Sequence, residues 1–551
     1  MLPVRSKKMS VVLCAVGTLG LAIGIGWLPW RAAKFPKPPT EEAQPNQSSP
    51  YRNVRAEVHY VGNEVCATCH PSHAETYRHH PMSHSFAPVA HGSPATHDDS
   101  YVSQSFQVDG FDYLVEHRGS VLVHREARRD AAGKVVAEAE AEVQFTIGSG
   151  AHGATYVVRH EDYLFQSPIS WYAATQTLAL APSHQQHNLH FERRIDDNCL
   201  FCHCDDARPV EHSLNRFQQP ISSRYGIGCE RCHGPGELHV QRYKKGGIHS
   251  GADDTIVNPR RLEPNLREAV CEQCHLQGAN RVLRRGRQPH DYRPGLPLQH
   301  YWTVFVHRAG SEKLQRAVSQ VEQLHESRCF RESKGELGCI SCHNPHALPG
   351  SADRIAIFRA RCLNCHQDTS CRETPERRLA LSNADDCTAC HMPRRKTKDI
   401  AHAAITDHRI LRRPPADFGV QKSVASLPDD IPVPFYLESS GALGADLDRD
   451  LGIALTQWPG TQQQRALAEQ ALSLLESSLR NWPNDIAGME AKGLALRLTG
   501  RPREALQAFQ DCLSGEPEDE FALLSAAETS AQLGNLDAAR SYFRHTGFAP
   551  F

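Results

Sequence analysis

The chain has 551 residues, enough for two or three domains. Its formal net charge of -2 gives no electrostatic case for a nucleic-acid partner. Only 40% of the residues are hydrophobic, a thin supply for a large core, while 19 cysteines and 32 histidines point to metal-ligand chemistry or disulfides.

Arg5, Lys7 and Lys8 precede an uncharged run from Ser10 to Trp30, long enough to span a bilayer with the basic flank on the cytoplasmic side. Residues 1–33 are therefore expected to be a membrane anchor. A cleaved signal peptide is the alternative, with Gly24 and Gly26 as small residues for a cleavage site. Leu13, before Cys14, argues against a lipoprotein box. Either reading exports the body of the chain. Residues 34–55 are proline-rich and read as an extended tether.

Nearly all the cysteine and histidine falls in 56–413, expected to be one cofactor-bearing domain. Within it, residues 101–168 alternate apolar and polar positions, with turns at Asp109-Gly110 and Arg118-Gly119. They predict a small antiparallel β insert. Residues 414–451 hold Pro414, Pro415, Pro428, Pro432 and Pro434 and read as a second linker. A repeat follows over 452–551. Ala471, Ala505 and Ala539 are 34 residues apart, as are Leu475, Phe509 and Phe543, and Gly500 and Gly534 mark inter-helix turns. That period, with small residues at helix crossings, resembles tetratricopeptide repeats. The fold expected is mainly α: a haem-packed domain with a small β insert, then a helical-repeat tail.

Seven boxes of one form lie in the central region: "CATCH" (66–70), "CLFCH" (199–203), "CERCH" (229–233), "CEQCH" (271–275), "CISCH" (339–343), "CLNCH" (362–366) and "CTACH" (387–391). Tetrahedral zinc needs four ligands, so such pairs should come in twos, with no histidine required after each. A thioredoxin-like pair occurs once, in a βαβ context. Haem c accounts for the whole box, with two thiols for the porphyrin vinyl groups and the next imidazole beneath the iron. The covalent positions are Cys66, Cys69, Cys199, Cys202, Cys229, Cys232, Cys271, Cys274, Cys339, Cys342, Cys362, Cys365, Cys387 and Cys390. The proximal ligands are His70, His203, His233, His275, His343, His366 and His391, so seven haems are expected.

Residues 51–413 carry 24 histidines beyond those in the boxes, enough for bis-histidine ligation throughout. Met82 and Met392 are the only methionines there, so mostly low-potential haems are expected. His346 follows His343 too closely to reach the other face of the same iron, but it can reach a neighbouring haem; so can His239, six after His233. The distal candidates are His84, His190, His239, His346, His402 and His408. His79, His80, His184, His187 and His325 are weaker, and His249, His307 and His545 read as surface. Of the remaining cysteines, Cys329 and Cys371 are a candidate disulfide in an oxidising compartment, and Cys204 reads as a buried small residue.

"VGNEVCATCHPSHAETY", "IGCERCHGPGELHV", "VCEQCHLQGANR", "SRCFRESKGELGCISCHNPH" and "CTACHMPRRKTKDIAHAAITDHRI" resemble the multihaem c-type cytochromes of the superfamily of hydroxylamine oxidoreductase and its tetrahaem electron acceptor. In particular the chain is similar to exported members with a tetratricopeptide tail. The resemblance implies packed haem pairs, periplasmic electron transfer, and His239, His346 and His408 as distal ligands. Several reductases of the superfamily place lysine in the box at the catalytic haem; none of these seven boxes does.

The expected function is electron transfer by a membrane-tethered protein. Its partners would be other redox proteins and a protein docked on the repeats. One alternative is an oxidoreductase acting on a small nitrogen or sulfur compound at one open haem. The other is a scaffold in which haem is structural.

Overall fold

A computed structural model describes residues 49–89, 103–182, 184, 187–244, 251–307, 319–381, 384–396, 404–413, 432–436, 444–458 and 464–546. The chain divides into two compact units, Met1–Gln44 and Pro45–Phe551, and all the described residues belong to the second. No helix among them is long and apolar enough to cross a membrane. The run from Ser10 to Trp30 lies outside them.

The expectation of a mainly α fold with a small β insert is corrected by a nine-stranded antiparallel sheet. Its strands are β1 (Phe86–Pro88), β2 (Ser103–Val108), β3 (Phe111–Arg118), β4 (Val121–Arg129), β5 (Val135–Ile147), β6 (Gly153–His160), β7 (Tyr163–Tyr172), β8 (Thr177–Leu180) and β9 (Arg193–Arg194). Strands β2 to β8 pair in sequence order, while β1 pairs with β5 and β9 with β7. β2 and β8 also approach each other, so the sheet curls into a nearly closed barrel. Asp109 and Gly110 both take positive φ, 52° and 80°, the backbone that a two-residue hairpin needs to match strand twist.

Two cores flank this sheet. The inner one gathers Tyr113, Val115, Leu122, Val143, Tyr156, Val158, Phe165 and Ile169. The outer one gathers Phe86, Val157, Leu164, Ile195, Leu200, Cys204, Phe217 and Ile221. β7 is buried on both faces, so it shows no apolar–polar alternation, and Gln166, Ser167 and Ser170 are buried along with its apolar residues. Leu200 and Cys199 belong to the second box, so the outer face of the barrel seats that box directly.

The C-terminal part is six helices in succession: Gly444–Thr456, Gln464–Asn481, Ile486–Leu498, Pro502–Gly515, Glu520–Gln532 and Leu536–His545. Ala471, Ala505, Leu475 and Phe509 are fully buried where they cross. The first helix starts inside the span expected to be linker, and Val433–Pro434 in that span adds a strand to Trp302–Val306, itself paired with Asn280–Leu283. The helices are not a loose tail. Val282 and Phe305 of those strands share their core. A buried ion-pair network spans the junction: Arg284 to Asp450 at 2.7 Å, Arg449 to Asp485 at 2.7 Å and Arg285 to Asp485 at 2.8 Å. Further along, Tyr163 of the barrel donates to Glu520, whose other oxygen accepts from the backbone of Leu214.

Candidate haem-binding site

Each box is built on a short helical segment: Asn63–Cys69, Asp197–His203, Glu230–His233, Pro264–His275, Cys339–Cys342, Arg354–Leu363 and Cys387–His391. Residues three apart lie on one helix face, so each segment presents its two thiols side by side. Several segments are pinned by caps: Asp196 accepts from the Cys199 amide and Asp386 from that of Thr388.

The boxes meet in pairs. The thiols of Cys66 and Cys229 lie next to each other, as do those of Cys202 and Cys274, Cys271 and Cys339, and Cys362 and Cys387. The first and third boxes interlock most closely. Buried Glu230 accepts from the amides of Val61, Gly62 and Gly236, at 2.8, 2.8 and 2.7 Å, and Asn63 accepts from the Cys229 amide at 2.9 Å. Four links follow in space: first to third box, second to fourth, fourth to fifth, and sixth to seventh.

Three histidine pairs face each other across gaps of one size. The ring centroids of His70 and His239 are 6.3 Å apart with planes at 16°; His233 and His346 are 6.0 Å apart at 7°; His343 and His408 are 6.3 Å apart at 30°. A metal–imidazole bond of about 2 Å on each side of one ion puts two ring centroids about 6 Å apart. All three pairs therefore fit a metal held between trans imidazoles.

Local sequence makes each meeting. Gly234 has φ +72°, and a Cβ there would stand 2.7 Å from the Asn53 amide nitrogen. This left-handed turn leads into the helix Glu237–Lys244, which brings His239 to His70. Asn344 accepts from the His346 amide at 3.0 Å, a tight turn just after the fifth box. The hairpin Arg394–Lys396 with Ala404–Thr406 carries His408 back to the fifth box.

The second nitrogens are also placed. Nδ1 of His233 donates to Val257 O at 2.8 Å, that of His391 to Leu411 O at 2.7 Å, and that of His408 to Thr406 O at 2.9 Å. Nδ1 of His239 donates to the carboxylate of Asp253 at 2.8 Å. Such bonds fix the tautomer and leave Nε2 free to bind metal. Burial pushes His203 and His346 down to about 4, and lowers His233, His275, His343 and His408. These imidazoles are neutral at neutral pH, the form that ligates iron.

The residues fit haem in charge as well. Arg281 lies beside the Cys202 and Cys274 thiols, and its Nε and Nη2 are buried with no protein acceptor. It is a donor suited to an anionic cofactor, since a buried cation needs a partner. Nδ1 of His203 is buried without a partner as well.

Residues 168–234 match the family of cytochrome c554 and c-prime. That stretch runs from β7 through the second and third boxes, and the match supports a c-type cytochrome carrying covalent haem c. One solved structure, of a mutant of MamA, is 20% identical over 19% of this chain and 77% of its own, with a TM-score of 0.14. No curated protein matches the chain.

Other expected site residues fall elsewhere. The His84 ring engages the carbonyl of Arg78 at an exposed position. His190 sits on the barrel, bonded to Glu126 and tilted against Phe111, because its positive φ of 54° turns it toward the sheet. His402 lies outside the described residues. Cys329 and Cys371 are not joined: Cys329 lies near Cys365 and Cys342, and Cys371 near Cys390. Cys204 is fully buried. Sequence reasoning missed Asp253 and the carbonyls of Val257, Thr406 and Leu411. Nothing in a linear pattern marks a backbone oxygen as the partner of a distant imidazole.

Proposed function

We propose that this protein is an exported multihaem c-type cytochrome that passes electrons along seven covalently bound haems, most of them bis-histidine. The observation that supports this best is the set of three facing imidazole pairs, each bringing a box histidine to one from another segment at a spacing that would suit an iron between them. In this reading the fourteen box cysteines hold the porphyrins. His70, His203, His233, His275, His343, His366 and His391 are proximal ligands; His239, His346 and His408 are distal. When bound, haem supplies reversible one-electron iron chemistry.

The chain's own residues do the rest. Two imidazoles on one iron leave no position for a substrate, so they favour conduction over catalysis. Neighbouring thiols would bring the first seat close to the third, the fourth close to both the second and the fifth, and the sixth close to the seventh. Ser10–Trp30 would anchor the protein with its body outside the cytoplasm. Donor and acceptor would be other redox proteins.

The test is an EPR spectrum of the oxidised, full-length protein, with haem counted by mass. Seven haem additions and low-spin signals throughout are expected. His239→Ala, His346→Ala and His408→Ala should each convert one low-spin haem to high-spin. A high-spin signal in the unaltered protein that shifts with nitrite, hydroxylamine or sulfite would instead establish the enzyme reading.

A further inference from the structure

Among the ring nitrogens that face away from a ligated position, one differs from the others. His233, His391 and His408 each donate Nδ1–H to a neutral backbone carbonyl. His239 donates to the carboxylate of Asp253. We propose that Asp253 sets the reduction potential of the haem held between His70 and His239, keeping it below those of the haems whose imidazoles donate to carbonyl oxygens. This rests on the reading of His239 as a distal ligand.

Two effects of the same sign act here. A carboxylate accepting from Nδ1 draws the proton toward itself, so the ring gains imidazolate character and donates more strongly from Nε2. Stronger donation stabilises ferric over ferrous iron. The negative charge itself, in a partly buried position, also favours the more positive iron. A carbonyl oxygen supplies neither effect to the same degree.

Asp253 is well held for this role. One of its oxygens accepts from the amide of Thr255 at 2.9 Å and from the Thr255 hydroxyl, which leaves the other facing His239. Arg242 approaches the first oxygen at 3.3 Å and shares itself with Asp254 at 2.8 Å. The guanidinium therefore offsets part of the Asp253 charge without touching the imidazole. The turn 253–255 and the helix Glu237–Lys244 thus place the ligand, its carboxylate and a counter-cation in one unit.

The consequence is directional. With the haem of the first box the lowest in this part of the molecule, an electron placed there moves on to the interlocked third box rather than resting. The first box becomes the entry end.

The experiment uses the full-length holoprotein, titrated electrochemically with optical detection, with EPR of the oxidised form. Asp253→Asn keeps the shape and an acceptor but removes the charge. One component should move to higher potential and one low-spin signal should shift its g values, with the number of low-spin haems unchanged. Arg242→Gln removes the offsetting cation, so the same component should move to lower potential. A merely structural role for Asp253 would not give shifts of opposite sign at one component. If neither variant moves a component while His239→Ala still produces one high-spin haem, His239 remains a ligand and the tuning role of Asp253 is overturned. If His239→Ala produces none, the ligation itself falls, and the inference falls with it.

Discussion

Gly493 lies in the helix Ile486–Leu498, and a methyl group placed there would meet the Phe509 ring at 2.3 Å. Phe509 is fully buried and cannot retreat. Gly493→Ala should therefore overpack the crossing and destabilise the protein by about 1–3 kcal/mol, measurable as a fall in thermal unfolding temperature. The aromatic at this place was legible from the 34-residue register, because helix crossings need a small residue opposite a large one. Phe543, the next in register, is only half-buried. His239 and His346 lie close after a box, where few backbone paths are open, and their rings come to face those of His70 and His233. The rings of His84 and His190 meet Arg78 and Glu126 instead of a box histidine, and a histidine count says nothing about which way a ring turns.

At the scale of elements, the sheet was read short. The alternation of β3 marked its middle, where Tyr113 and Val115 are core and their neighbours are more open, whereas β4 buries residues on both faces. β7 carries apolar residues on both faces, and β1, β8 and β9 are too short to show a period. The second face exists because a box helix docks on it, and that dependence is invisible along the chain. Leu200, fully buried between box and barrel, tests the contact. Leu200→Ala should cost about 2–5 kcal/mol and loosen the second seat, read as lower unfolding temperature with partial loss of one low-spin signal. The junction to the helical array was equally hidden, because its ion pairs join arginines and aspartates far apart in sequence. Asp450 is fully buried between Arg284 and Arg449. Asp450→Ala leaves two buried guanidinium groups short of a partner and should destabilise by about 3–5 kcal/mol, again read by unfolding.

For the whole molecule, the array and the cytochrome region form one body. Truncation before Gly444 would strip the helical core from Phe305 and Val282 and leave Arg284 without Asp450. The shortened protein should aggregate or lose haem, seen as a low haem-to-protein ratio and a void-volume peak in gel filtration; a monodisperse, fully loaded product would show the array to be dispensable. One feature of the interlocked boxes reaches back to the making of the protein. Asn63 and Cys229, 166 residues apart in sequence, are bonded in the folded state, and the Cys66 and Cys229 thiols lie next to each other. Cys66 and Cys229 are only part-exposed once the two boxes have met, while Cys69 stays exposed. If these seats carry haem, attachment at the crowded Cys66 and Cys229 is expected to be faster on the open chain than on the closed one, read by comparing haem attachment to unfolded and to refolded apoprotein.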